Sequence, residues 1–124
     1  MKIVMTALTT LLLGVAAAHA MPAQIKTSES AQIYTDASGM TLYTFDKDSE
    51  GKSNCDGDCA AKWPPLKAEA GAEADGDFMP VERTDGTMMW SLNGKPLYTY
   101  VEDTKPGDMT GDGVGGAWHA AKAM

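Results

Sequence analysis

Beyond its first twenty residues, the chain carries its apolar side chains in short runs bounded by Asp, Gly, Ser or Asn. Residues 31–36 and 40–45, rich in Ile, Tyr, Thr and Phe, flank Ala37-Ser38-Gly39, and this predicts a hairpin. Residues 78–83 and 87–92 flank Asp85-Gly86, and residues 95–101 follow Asn93-Gly94. Both dipeptides supply the positive φ angles of two-residue hairpin turns, so 78–101 is predicted to form a three-stranded meander. Residues 117–121 make a closing strand. Helix is nearly absent: a turn over 59–63 is stopped by Pro64-Pro65. Residues 21–30 are polar and are expected to be a loose lead-in. Residues 46–62 form a loop, and 67–77 a solvated connector whose glycines and missing apolar stripe argue against a helix.

The pattern repeats. Gly39-Met40-Thr41-Leu42-Tyr43-Thr44-Phe45-Asp46-Lys47-Asp48 returns 55 positions later as Gly94-Lys95-Pro96-Leu97-Tyr98-Thr99-Tyr100-Val101-Glu102-Asp103. Trp63 and Trp118 keep the same spacing, so one supersecondary unit is used twice. The expected fold is therefore mostly β: a small antiparallel domain of two homologous repeats with little helix. Repeat 1 spans about 31–66 and repeat 2 about 78–123.

Residues 1–20 have the build of a secretory signal: Lys2, an apolar stretch over 3–15, and the small-x-small sequence Ala18-His19-Ala20. That stretch is short for a membrane span. Cutting after Ala20 leaves one small domain, 21–124, that does not span a membrane and is exported, to the periplasm or beyond it. Ten basic residues against seventeen acidic ones, fewer still once Lys2 is gone, make nucleic acid a poor partner. In an oxidising compartment Cys55 and Cys59, the two cysteines of the chain, are expected to form a disulfide. They are not spaced as Cys-x-x-Cys, and two thiolates alone do not complete a zinc site.

The recurring element is Tyr-x-aromatic-x-x-Asp: Tyr43, Phe45, Asp48 and then Tyr98, Tyr100, Asp103. With the Gly-x-x-Leu-Tyr lead-in and the downstream Trp63 and Trp118, it resembles a family of secreted bacterial repeat proteins and lipoproteins marked by a Tyr-x-(Phe/Trp/Tyr)-x-x-Asp motif. The strings Asn93-Gly94-Lys95-Pro96-Leu97-Tyr98 and Cys59-Ala60-Ala61-Lys62-Trp63-Pro64-Pro65 carry the same resemblance, which covers 31–121. It implies export and a repeated domain, with no established activity. The chain departs from the lipoproteins in lacking a lipid-accepting Cys at the predicted cut. Repeat 2 also has Thr110 and Val114 where repeat 1 has its cysteines, so a disulfide is not something both repeats need.

These eight aromatic and acidic residues have a structural reading and a functional one. Structurally, the rings pack one face and each Asp holds loop amides. Functionally, rings and carboxylates from both repeats form a shallow site for a cationic or sugar-like ligand. Metal binding is the alternative. Asp46, Asp48 and Glu50 match the first half of a calcium loop, but Gly57 stands where the bidentate Glu belongs. Methionines such as Met88, with His119, suit copper, although Met88 and Met89 point to opposite faces of a strand. A hydrolase is the third class, with no acid pair singled out and no nucleophile motif. The preferred expectation is a non-enzymatic exported module, without a cofactor, that binds a small ligand or an envelope component.

Overall fold

A computed structural model describes residues 23–28 and 31–123. The predicted signal segment lies outside them. Among the described residues, eight short strands are joined by turns: β1 Gln24–Ser28, β2 Ala31–Thr35, β3 Tyr43–Phe45, β4 Lys67–Ala68, β5 Phe78–Glu82, β6 Met88–Leu92, β7 Lys95–Pro96 and β8 Trp118–Ala120. A single helical turn, α1 Asp58–Lys62, precedes Trp63, and a 3-10 turn, Val114–Gly116, precedes Trp118 in the same way. All strand pairs are antiparallel. None of the helices among the described residues is long and apolar enough to cross a membrane.

At the centre of the contact between the repeats lies one reciprocal residue pair. Tyr43 N–H donates to the Tyr98 carbonyl at 2.7 Å, and Tyr98 N–H donates back to Tyr43 at 3.0 Å. Tyr43 and Tyr98 are equivalent positions, so this reciprocal pair marks a pseudo-twofold axis. Around it the halves exchange partners. β3 of repeat 1 pairs with β8 of repeat 2, with Phe45 opposite Trp118. In return, Tyr98 bridges Pro65, and Thr99 N–H donates to Pro64 O at 2.8 Å. Farther out, β4, just after repeat 1, lies on β6 of repeat 2, with Lys67 opposite Met89, while Lys122 of repeat 2 bridges Ile33 of β2. Each half thus completes the other's sheet.

Alternation along the central strands sends Tyr43 and Tyr98 to one face and Leu42 and Leu97 to the other. One core cluster gathers Ile33, Tyr43, Cys55, Trp63, Met89, Tyr98 and Trp118. The second gathers Ala23, Leu42, Phe78, Leu92, Leu97 and Ala121. Both clusters draw on both repeats, so neither repeat owns a core.

Five local expectations are corrected. Residues 24–28 are not a loose lead-in but β1, paired along its whole length with β2. Its exposed Gln24, Ile25 and Thr27 bury no apolar face, so composition carried no sign of it. The hairpin over 31–45 closes only through the Thr35–Thr41 bridge, because β3 leaves it to pair with β8. Asp85-Gly86 is not a two-residue turn: Arg83 N–H donates to Thr87 O, and Gly86 (φ 86°) takes the left-handed position of a longer loop. Asn93-Gly94, at φ 52° and 85°, is the expected two-residue turn. Finally, Lys67 and Ala68 of the connector form β4, and the strand expected over 95–101 keeps only β7 on β6 before crossing to Tyr43.

Candidate functional site

All eight motif residues converge. Four rings form a column in the order Phe45, Trp118, Trp63, Tyr100, with centroids 4.1, 3.8 and 3.9 Å apart. The two indoles at its centre are within 1° of parallel. Tyr43 meets Trp63 edge-on at 5.3 Å, and Tyr98 meets Trp118 edge-on at 5.2 Å. Offset stacks and edge contacts are the favoured aromatic geometries, each adding roughly 0.5–1.5 kcal/mol beyond area burial. Trp63 and Trp118 are only 4% and 5% exposed, so the column is core and not an open stacking platform. Its ends, Phe45 and Tyr100, are half-buried. Gly111 is packed against it: a Cβ there would lie 2.7 Å from the Trp63 ring and 2.9 Å from Tyr100.

Each motif tyrosine is clasped by the other repeat's motif aspartate. Tyr43 hydroxyl donates to Asp103 at 2.7 Å, and Tyr98 hydroxyl donates to Asp48 at 2.6 Å. The supports differ. Asp103 also accepts from the Thr110 amide and hydroxyl, and Gly111 N–H donates to the Tyr43 oxygen at 3.1 Å. Asp48 accepts from the Asn54 amide, and the Tyr98 oxygen shares a 2.6 Å hydrogen bond with the Ser53 hydroxyl. Behind Ser53 lies the buried guanidinium of Arg83, which donates to Ser53, to Cys55 O at 2.9 Å and to Asp56 at 3.2 Å. The Cys55–Cys59 disulfide ties this loop to α1. Burial, reinforced by the carboxylate bond, pushes both phenols above the ordinary tyrosine range. Burial also raises Asp48, and the bonds from Tyr98 and Asn54 offset part of that rise.

Beside the Phe45 end of the column lies a groove of about 280 Å³ between residues 44–50 of repeat 1 and the turn 93–96 of repeat 2. Phe45, Asp46, Asp48, Glu50 and Lys95 line it. The Gly51 amide donates to Gly94 O at 2.7 Å, and a Cβ on Gly94 would come within 2.6 Å of the Glu50 side chain, so loop and turn are closely apposed. His119 reaches the carboxylate of Asp46 at 2.8 Å.

Among the described residues no group of three His, Cys, Asp or Glu is placed to hold an ion. Asp46, Asp48 and Glu50 share the groove, Asp46 engages His119, and Met88 lies on β6 opposite Glu82 and Ala68. Sequence reasoning missed Arg83, Ser53 and Lys95. A lone Arg beside a turn has the pattern of a surface residue, and only its burial at 6% exposure reveals its part.

Residues 25–67 and 79–122 each match the model of a family described as a secreted repeat of unknown function. The chain belongs to that family. The two matches begin within β1 and β5, so both outer hairpins are part of the family's repeat. No curated protein and no solved structure matches the chain.

Proposed function

We propose that the chain is an exported, non-enzymatic binding module of the cell envelope that holds a small cationic or amino-sugar-like ligand in the groove beside Phe45. The observation that carries this reading is where the repeats diverge. Around the axis, Leu, Tyr, Thr, Asp and Trp are the same in both halves. In the groove the charged positions differ apart from Asp48: the position of Asp46 is taken in the other repeat by Val101, that of Glu50 by Lys105, and that of Lys95 by Met40. The fold therefore does not require Asp46, Glu50 or Lys95. A half-buried aromatic face with carboxylates around it suits a cation or a sugar bearing an amine, and Lys95 offers a donor to a ligand hydroxyl.

Amide chemical shifts under titration with glucosamine, spermidine and tetramethylammonium test the assignment. Shifts confined to 44–50 and 93–96, lost in a Phe45→Ala/Glu50→Gln variant, are expected for at least one probe. No saturable shift with any of them, or shifts spread over the surface and indifferent to the variant, overturns it.

A further inference from the structure

The ring column and its two Tyr–Asp clasps form more than a packed core. We propose that they act as a one-electron relay, drawing an oxidising equivalent onto the Trp63–Trp118 pair and discharging it as a tyrosyl radical on Tyr43. Four arrangements carry this. The central indoles overlap face to face at 3.8 Å, which spreads a positive hole over two rings. Tyr100, half-buried and stacked on Trp63 at 3.9 Å, brings the pair within one ring of solvent. At the other end Phe45, a ring much harder to oxidise than phenol or indole, closes the column. Tyr43 touches Trp63 edge-on, and its proton lies in a 2.7 Å hydrogen bond to a carboxylate, within the reach of direct proton transfer.

The step balances as follows. A one-electron oxidant, such as an oxygen-centred radical or a metal complex in a high oxidation state, takes one electron through Tyr100 from the indole pair. The Tyr43 hydroxyl then breaks its O–H bond: the electron refills the indole pair, and the proton forms an O–H bond on Asp103. The products are the reduced oxidant, a neutral tyrosyl radical and a protonated Asp103. Tyr98 is the less favoured donor, because the Arg83 cation bonded to its partner Ser53 opposes a positive charge arriving there. Tyr43 has Thr110 and Gly111 around its clasp and no guanidinium.

Photo-oxidised ruthenium(III) tris(bipyridine), generated by a laser flash with the full chain, tests the relay by transient absorption and electron paramagnetic resonance. A tryptophan radical should appear first and convert to a tyrosyl radical, more slowly in deuterated water. Tyr43→Phe should abolish most of the tyrosyl signal, whereas Tyr98→Phe should leave it. Asp103→Asn, which keeps an acceptor oxygen but loses the base, should slow the conversion on the order of a hundredfold. A tyrosyl yield unchanged in the Tyr43→Phe/Tyr98→Phe double variant, or a tryptophan radical that never converts, overturns the proposal. If a variant fails to fold by near-ultraviolet circular dichroism, the wild-type solvent isotope effect decides: its absence is equally contradictory.

Discussion

The two clasps solve one problem with different parts. Each buries a phenol against the opposite repeat's carboxylate, at 2.6 and 2.7 Å, and each must satisfy the oxygens left over. Repeat 2 does so locally, with the Thr110 hydroxyl and amide and the Gly111 amide. The repeat 1 loop uses a longer chain: Ser53, then buried Arg83 reaching in from repeat 2, with the disulfide bracing the loop. The common part, Tyr to Asp across the axis, is what the motif encodes. The supports are free to differ so long as every buried polar atom finds a partner.

That comparison can be broken in steps. The largest effect is expected from Arg83→Met, which removes the donor to Ser53 and Cys55 O and should cost about 2–3 kcal/mol, the scale of hydrogen bonds to a buried charged group. Amide exchange should rise around Tyr98 and stay slow around Tyr43. A loss of protection shared equally by both clasps would mean that Arg83 supports the whole core and not one clasp.

Removing the disulfide with Cys55→Ala/Cys59→Ala should cost about 2 kcal/mol by loop entropy, since the loop it closes is small. Chemical denaturation measures this. The second repeat has Thr110 and Val114 at the equivalent positions and so no disulfide there, and the variant should still fold. A variant that is unfolded in dilute buffer would contradict the view that the supports are interchangeable.

The most symmetric effect is alkaline. Both phenols are raised above the tyrosine range, so the native state keeps protons that the unfolded chain releases above a pH of about 10. Their stabilising contribution is complete below that pH and falls as pH rises beyond it, at about 1.4 kcal/mol per pH unit for each phenol. Tyr43→Phe and Tyr98→Phe should each flatten that slope by a similar amount in denaturation curves taken across the range. Slopes unchanged by both substitutions would place the alkaline sensitivity elsewhere.

The repeat, the motif and the asparagine-glycine turn were legible in the sequence because each is a local pattern at fixed spacing. The disulfide was legible from the pairing of export features with two cysteines. What pairs with what was not. Tyr43 lies five residues from Asp48 yet bonds Asp103, and Phe45 stacks on Trp118 of the other repeat, because long-range pairing leaves no trace in local periodicity. β1 escaped notice because an edge strand held by backbone bonds needs no apolar side. The groove was visible only in part: its carboxylates were noted as candidate calcium ligands, but Lys95 and Phe45 join them only through the fold.

A double-mutant cycle for stability, pairing Tyr43→Phe with Asp103→Asn and, separately, with Asp48→Asn, goes to the centre of this account. Exchange between the repeats requires a coupling of roughly 0.5–3 kcal/mol for the Tyr43/Asp103 pair and almost none for Tyr43/Asp48. The reverse ranking, with Tyr43 coupled to the aspartate of its own repeat, would contradict the interlocked architecture.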